Sequence, residues 1–215
     1  MQKRSTVTLI LLSISLWVCP VIYAASIPAN MGVPKADGVK ITITKVFVEG
    51  NRWAEQVSVI AFGPLSRELV SGDQGQYRSL IQQEPYYFAI DIGLTHKGGA
   101  NINQINIGYQ EGNKPAGQKH GLGWKTTATF IKMTVDKDKN ETQVLLPQQK
   151  KLLKDLKAEA AVIPLSDIQG GWLRIYLGLV SKDPKANPPD PAEAEVFSSI
   201  DMAGDYSGNI MITSS

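Results

Sequence analysis

Cysteine is almost absent. The single one, Cys19, lies in an apolar run near the start, and the 215 residues contain only two histidines, His96 and His120. A structural zinc site draws on several such ligands, so these counts argue against one. A hydrolase of the nucleophile–base kind needs a base that titrates near neutrality, usually histidine. Both histidines stand in glycine-rich turn sequence, "THKGGA" and "GQKHGLG", without a G-x-S-x-G elbow, and they read as exposed turn residues. "DKDKNE" places Asp136, Asp138 and Asn140 at alternate positions, as a calcium loop would. Its sixth position is Glu141 instead of glycine and its twelfth is Pro147 instead of glutamate, so it reads as a hairpin turn. Glu84, Asp91 and Glu111 are candidate glycosidase carboxylates, but no spacing pairs them. Trp53, Trp124 and Trp172 suit either a sugar groove or a core rim. "GLGWK" is too short for a phosphate loop. The reading is a non-enzyme with no catalytic, metal or cofactor site.

Long apolar runs are scarce as well. "VTLILLSISLWVC" follows Lys3 and Arg4 and precedes the small residues of "VIYAAS". This is the tripartite pattern of a secretory signal over residues 1–24, cleaved after Ala24 or, alternatively, Ala25. Leu16-Trp17-Val18 is too bulky for lipid attachment at Cys19. Cleavage removes the one cysteine, so packing or a partner, not a disulfide, must stabilise the exported chain. It also removes two of the 22 basic residues and none of the 20 acidic ones, leaving a formal charge of zero. A neutral exported chain is a poor binder of nucleic acid.

Strand signals dominate the remainder. "ASIPANMGVPKADG" carries apolar residues at every second place, and residues 25–37 read as an extended arm. Its prolines, Pro28 and Pro34, fall in the opposite phase and suit an edge, so the arm has no obvious place in its own sheet. The alternative is an N-terminus without fixed structure. "GVKITITKVFVEG", "EQVSVIAFGP", "PYYFAIDIGL", "NINQINIGYQ", "TTATFIKMTV", "TQVLL", "GGWLRIYLGLVS" and "GNIMIT" read as strands. "PQQKKLLKDLKAEAAV" has Leu152, Leu153, Leu156 and Ala160 on one helical face, with Pro147 at a first helical position. Its lysines form a solvated face. "KDPKANPPDPAEAE" holds four prolines and reads as a loop. The expected class is all-β, an immunoglobulin-like sandwich or jelly roll with one short late helix.

No further strand follows "AGDYSGNIMITSS", so the sandwich is expected to be one strand short while the arm is one to spare. That segment closely resembles the end of the alpha-class chaperone–usher pilins, the family of colonization factor antigen fimbriae, whose subunits finish with A-G-x-Y-S-G and a short strand. The signal, the alternating arm, the late helix and "LRIYLG" are similar more loosely; the 191 residues left after the signal and the proline-rich loop exceed the family's pattern. The resemblance implies that residues 38–215 form an incomplete immunoglobulin-like pilin domain, completed by donor-strand exchange. Ile27, Ala29, Met31 and Val33 would be the donor residues. Tyr206, Ile210 and Ile212, with the "VKITITKVFV" strand, would line an exposed apolar acceptor groove. The implied partners are neighbouring subunits, a periplasmic chaperone, an outer-membrane usher and, if the fibre itself adheres, a host-cell receptor. The implied destination is a cell-surface fimbrium. The alternative is a self-contained secreted sandwich that binds or hydrolyses carbohydrate.

The signal reading yields the first prediction. Mass spectrometry of the exported protein is expected to find Ala25 or Ser26 as the first residue; a retained Met1 would contradict it.

Overall fold

The structure is a computed structural model, and it describes residues 28–29, 39–47, 52–62, 65–69, 77–82, 86–94, 102–198, 200–202 and 204–215. The signal segment, most of the arm (Ile27, Met31 and Val33 among it) and His96 lie outside the described residues. The strands are β1 (Pro28–Ala29), β2 (Val39–Phe47), β3 (Arg52–Gln56), β4 (Ile60–Ala61), β5 (Leu65–Leu69), β6 (Tyr77–Gln82) and β7 (Tyr86–Leu94). They continue with β8 (Gln104–Glu111), β9 (Thr126–Val135) and β10 (Glu141–Leu152). Helix α1 (Leu153–Ala158), β11 (Ala161–Pro164), β12 (Trp172–Leu179) and β13 (Gly208–Ser214) complete the order.

Period-two sequence sorts these strands into an all-β sandwich. One sheet runs β10-β9-β12-β7-β2-β3 and the other β11-β8-β13-β1-β4, while β5 and β6 pair as a separate hairpin. Leu173, Ile175 and Leu177 of β12 and Phe88, Ile90 and Ile92 of β7 point into the core between the sheets. From the other sheet, Ile105, Ile107 and Tyr109 of β8 meet them, with Ile210 and Ile212 of β13. Aromatic rings close one end of this core: Phe62 and Phe88 meet edge to face at 5.4 Å, as do Tyr86 and Phe88 at 5.5 Å.

Three segments depart from the sequence expectation. "EQVSVIAFGP" is not one strand: β3 belongs to the larger sheet and β4 to the smaller, so the chain changes layer between Gln56 and Ile60. The hairpin of β5 and β6 has no alternation that announces it. The expected helix from Pro147 shrinks to six residues, because residues 150–152 pair with Thr129, Ala128 and Thr127 of β9. Long-range pairing outweighs the helical spacing of Leu152 and Leu153. A bulge between Leu145 and Lys150, with Gln149 at φ 48°, carries β10 past Pro147. The Asp136 turn is a hairpin as expected, its carboxylate accepting from the backbone N–H groups of Asp138 and Asn140, each at 2.8 Å.

The proline-rich loop packs back against the larger sheet. Ala194 joins Leu152 and Val180 in a small buried cluster. Lys150 Nζ reaches the Asp190 carboxylate at 2.7 Å and donates to the Pro188 carbonyl at 3.2 Å. The lysine-bearing face is therefore partly paired; Lys154 likewise contacts Asp155 and Glu193. Burial would raise the Asp190 carboxyl, but hydrogen bonds from Lys150 and the Lys182 backbone outweigh it, and the net shift is downward. A depressed folded value stabilises the loop above the ordinary aspartate range, and that contribution disappears as pH falls through the folded value. The protection of amides across residues 181–196, their exchange relative to the intrinsic rate at each pH, is thus expected to fall below about pH 4. Asp190→Asn should show the lower protection already at pH 7; wild-type-like protection in that variant would refute the pinning.

Candidate functional site at the last strand

The stretch leading into β13 is anchored by residues far upstream. Gly204 sits at φ +145°, a conformation that favours glycine, and a Cβ there would press into the ring of Pro115. Tyr206 is fully buried; its ring meets Phe197 edge to face at 5.0 Å and its hydroxyl donates to the Met202 carbonyl at 3.0 Å. Ser207 bridges to the other strand of the pair: its N–H donates to the Asn113 carbonyl at 2.9 Å, and its hydroxyl accepts from the Asn113 N–H at 2.8 Å. Gly208 lies under Tyr109, and a Cβ at this position would stand 2.6 Å from the phenol Cζ. Each described residue of "GDYSG" other than Asp205 thereby has a steric or hydrogen-bonding reason.

Tyr109 extends this anchor. Its hydroxyl donates to Glu111 at 2.9 Å, and the same carboxylate accepts from the Gly123 N–H at 3.2 Å. The "GLGWK" turn thus holds a carboxylate of its own chain. Burial, then the charge and hydrogen bond of Glu111, push the Tyr109 phenol above its usual value. Burial and then the Asp201 charge do the same for Tyr206.

A buried ion pair fixes the preceding loop. Lys125 is 2% exposed and its ammonium lies 2.9 Å from Asp201, itself 4% exposed. Asp201 also accepts from the Gln118 amide and the Ser198 N–H, both at 2.7 Å, and Gln118 Oε1 accepts from the Met202 N–H at 2.9 Å. His120 is not the exposed turn residue expected. Its side chain is mostly buried, its Nδ1 lies 2.7 Å from Glu195, and its ring stacks on Trp124 at 4.0 Å. Trp124 is consequently part of this packing.

β1 meets the anchored end of β13. Ala29 stands opposite Gly208 in parallel register, and on the other edge Pro28 and Ala29 pair antiparallel with Ala61 and Ile60. Pro28 and Ala29, the described residues of the arm, therefore have a place in the smaller sheet, against the expectation that the arm has none. A mid-sheet position was legible only through the apolar alternation, which the two prolines had argued against. Tyr206, Ile210 and Ile212 are buried at 0%, 3% and 3% exposure, so they face the core and do not line an exposed cleft. β2, expected beside them, lies in the opposite sheet and contributes Ile43 to the same core.

The two described candidate carboxylates, Asp91 and Glu111, lie on different sheets. Asp91, on the larger sheet, is held by two Arg174 nitrogens at 2.6 and 2.9 Å and by the Trp172 indole N–H at 3.1 Å. Glu111 belongs to the smaller sheet, and Glu84 lies outside the described residues. Trp53 and Trp172 flank the Arg174 guanidinium at 4.6 and 5.8 Å, respectively. Among the described residues, no group of three or more His, Cys, Asp or Glu could hold a metal ion.

No protein-family model, no curated protein and no solved structure matches this chain.

Sequence reasoning missed Tyr109, Lys125 and Asp201, whose partners are distant in the chain; Gly208 at a strand start was the one visible signal. Gly208→Ala is expected to lower stability by about 1–3 kcal/mol through overpacking against Tyr109. The exposed change Thr213→Ala should stay within about 0.5 kcal/mol. Urea denaturation of both variants measures the difference, and equal midpoints would refute the close approach as a constraint.

Proposed function

We propose that this chain is a structural subunit of a chaperone–usher fimbria, of the alpha-class family that its final segment resembles. In this reading residues 38–215 form an immunoglobulin-like sandwich whose missing strand is supplied by an N-terminal arm. What supports it is the "AGDYSG" ending before β13, which resembles that family; the pairing of Pro28–Ala29 with β13 and β4 of the same chain identifies a seat that an arm can fill but does not by itself favour exchange between subunits. The pairing of β1 with β13 is the one parallel pairing among the described strands.

The arm of one subunit would leave its own sheet and take the same seat in the next. A head-to-tail contact of this kind does not close on itself, so repetition makes a filament. Ile27, Ala29, Met31 and Val33 are the inward phase, and the layer carrying Tyr206, Ile210 and Ile212 receives them. Each large apolar arm side chain transferred from water contributes about 1.5–3 kcal/mol. Before assembly a periplasmic chaperone occupies the seat, and an outer-membrane usher exchanges it for the neighbour's arm. The work is mechanical, with no bond made or broken. The subunit is exported through the periplasm and ends in a cell-surface fimbrium.

The alternation supplies the test, since adjacent side chains on a strand face opposite ways. Met31→Asp puts an unpaired charge in the inward phase and is expected to abolish surface fibres while sparing the chaperone-bound subunit. Asn30→Asp, in the outward phase, is expected to leave fibres at wild-type yield. Both variants are expressed with chaperone and usher, and surface fibres and periplasmic subunit are quantified. Equal fibre yield from the two would overturn the proposal.

A further inference from the structure

The outer face of the larger sheet carries a cavity that the fibre reading does not use. It has a volume of about 410 Å³ and lies where the proline-rich loop bends over β9, β10 and β12. That volume falls toward the small end of the roughly 300–1,000 Å³ usual for small-ligand sites. Its lining includes Ile131, Leu145 and Tyr176, with Pro188 as part of the roof. Its polar lining residues include Gln143 and Asn187, whose side chains carry amides. The roof is fixed in place by Lys150, through Asp190 and the Pro188 carbonyl.

We infer that this cavity is a subsite for a neutral pyranose, a sugar ring without a carboxylate or sulfate. The chemistry of the lining narrows the ligand. A purely apolar molecule would cover two amides without satisfying them, which is costly. An anion would need an uncommitted cation, and the ammonium at the wall, Lys150, already serves Asp190 and Pro188. A pyranose presents an apolar C–H face to a ring such as Tyr176 and, around its rim, hydroxyls that both donate and accept. Side-chain amides offer the same pair of roles. The walls come from three strands and a loop pinned by an ion pair, so the site is largely formed before a ligand arrives.

The inference does not rest on the fibre reading, because the cavity lies on the face opposite the core and away from the seat of the arm. Saturation-transfer NMR on the full exported chain, in whatever assembly it is isolated, provides the test. The probes are the methyl glycosides of glucose, galactose and mannose, with sialyllactose as an acidic comparison. At least one neutral glycoside is expected to receive saturation. Tyr176→Ala should weaken it about tenfold, the loss of one aromatic contact. Gln143→Ala and Asn187→Ala alter exposed side chains and keep the result readable if Tyr176→Ala does not fold; each is expected to reduce the signal. The inference is overturned if no neutral glycoside receives saturation, if only sialyllactose does, or if the signal persists in all folded variants.

Discussion

A lysine ammonium removed from water must be neutralised where it sits, and the region before β13 is arranged around that requirement. An uncompensated buried charge costs several kcal/mol, so Lys125 obliges Asp201 to stay beside it. Asp201 in turn fixes Gln118 and the backbone at Ser198, and Gln118 fixes Met202. Met202 then accepts from the Tyr206 hydroxyl, which sets the approach to the last strand. A chain of satisfied polar groups therefore delivers Gly208 beneath Tyr109 and opposite Ala29.

This arrangement explains why some of the molecule is legible in sequence and some is not. Strands with strict alternation, such as "VKITITKVF" and "YYFAIDIGL", are readable because period two is a local property of a half-buried sheet. The glycine pair before Trp172 and the Asp136 turn are readable for the same reason. The short extent of α1 was not, because residues 150–152 are decided by β9. Nor was the change of layer after Gln56. The "GDYSG" stretch was recognisable as a pattern while its causes were hidden, since Pro115, Asn113 and Tyr109 lie about ninety residues earlier. His120 and Trp124 illustrate the same gap: glycine-rich flanks suggest exposure, and a stacking partner with a nearby carboxylate produces burial.

The two faces of the larger sheet follow different rules. Its inner face is aliphatic and aromatic, and volume decides what fits. Its outer face carries Arg174, held by Asp91 and Glu141 between two tryptophans, and Tyr176 beside Tyr87 at 5.3 Å. Burial there comes from paired charges and rings, and the proline-rich loop covers a part near β9, β10 and β12. A polar, aromatic outer surface of this kind offers hydrogen bonds and flat apolar area together, which an aliphatic face does not.

The bulge in β10 has a consequence for solubility. β10 stands at the edge of the larger sheet, where unpaired backbone groups would otherwise invite another chain to add a strand. Pro147 offers no N–H, Gln149 turns the backbone to positive φ, and the register slips between Leu145 and Lys150. An incoming strand cannot stay in register along such an edge. The molecule thus discourages indiscriminate edge-to-edge aggregation at β10.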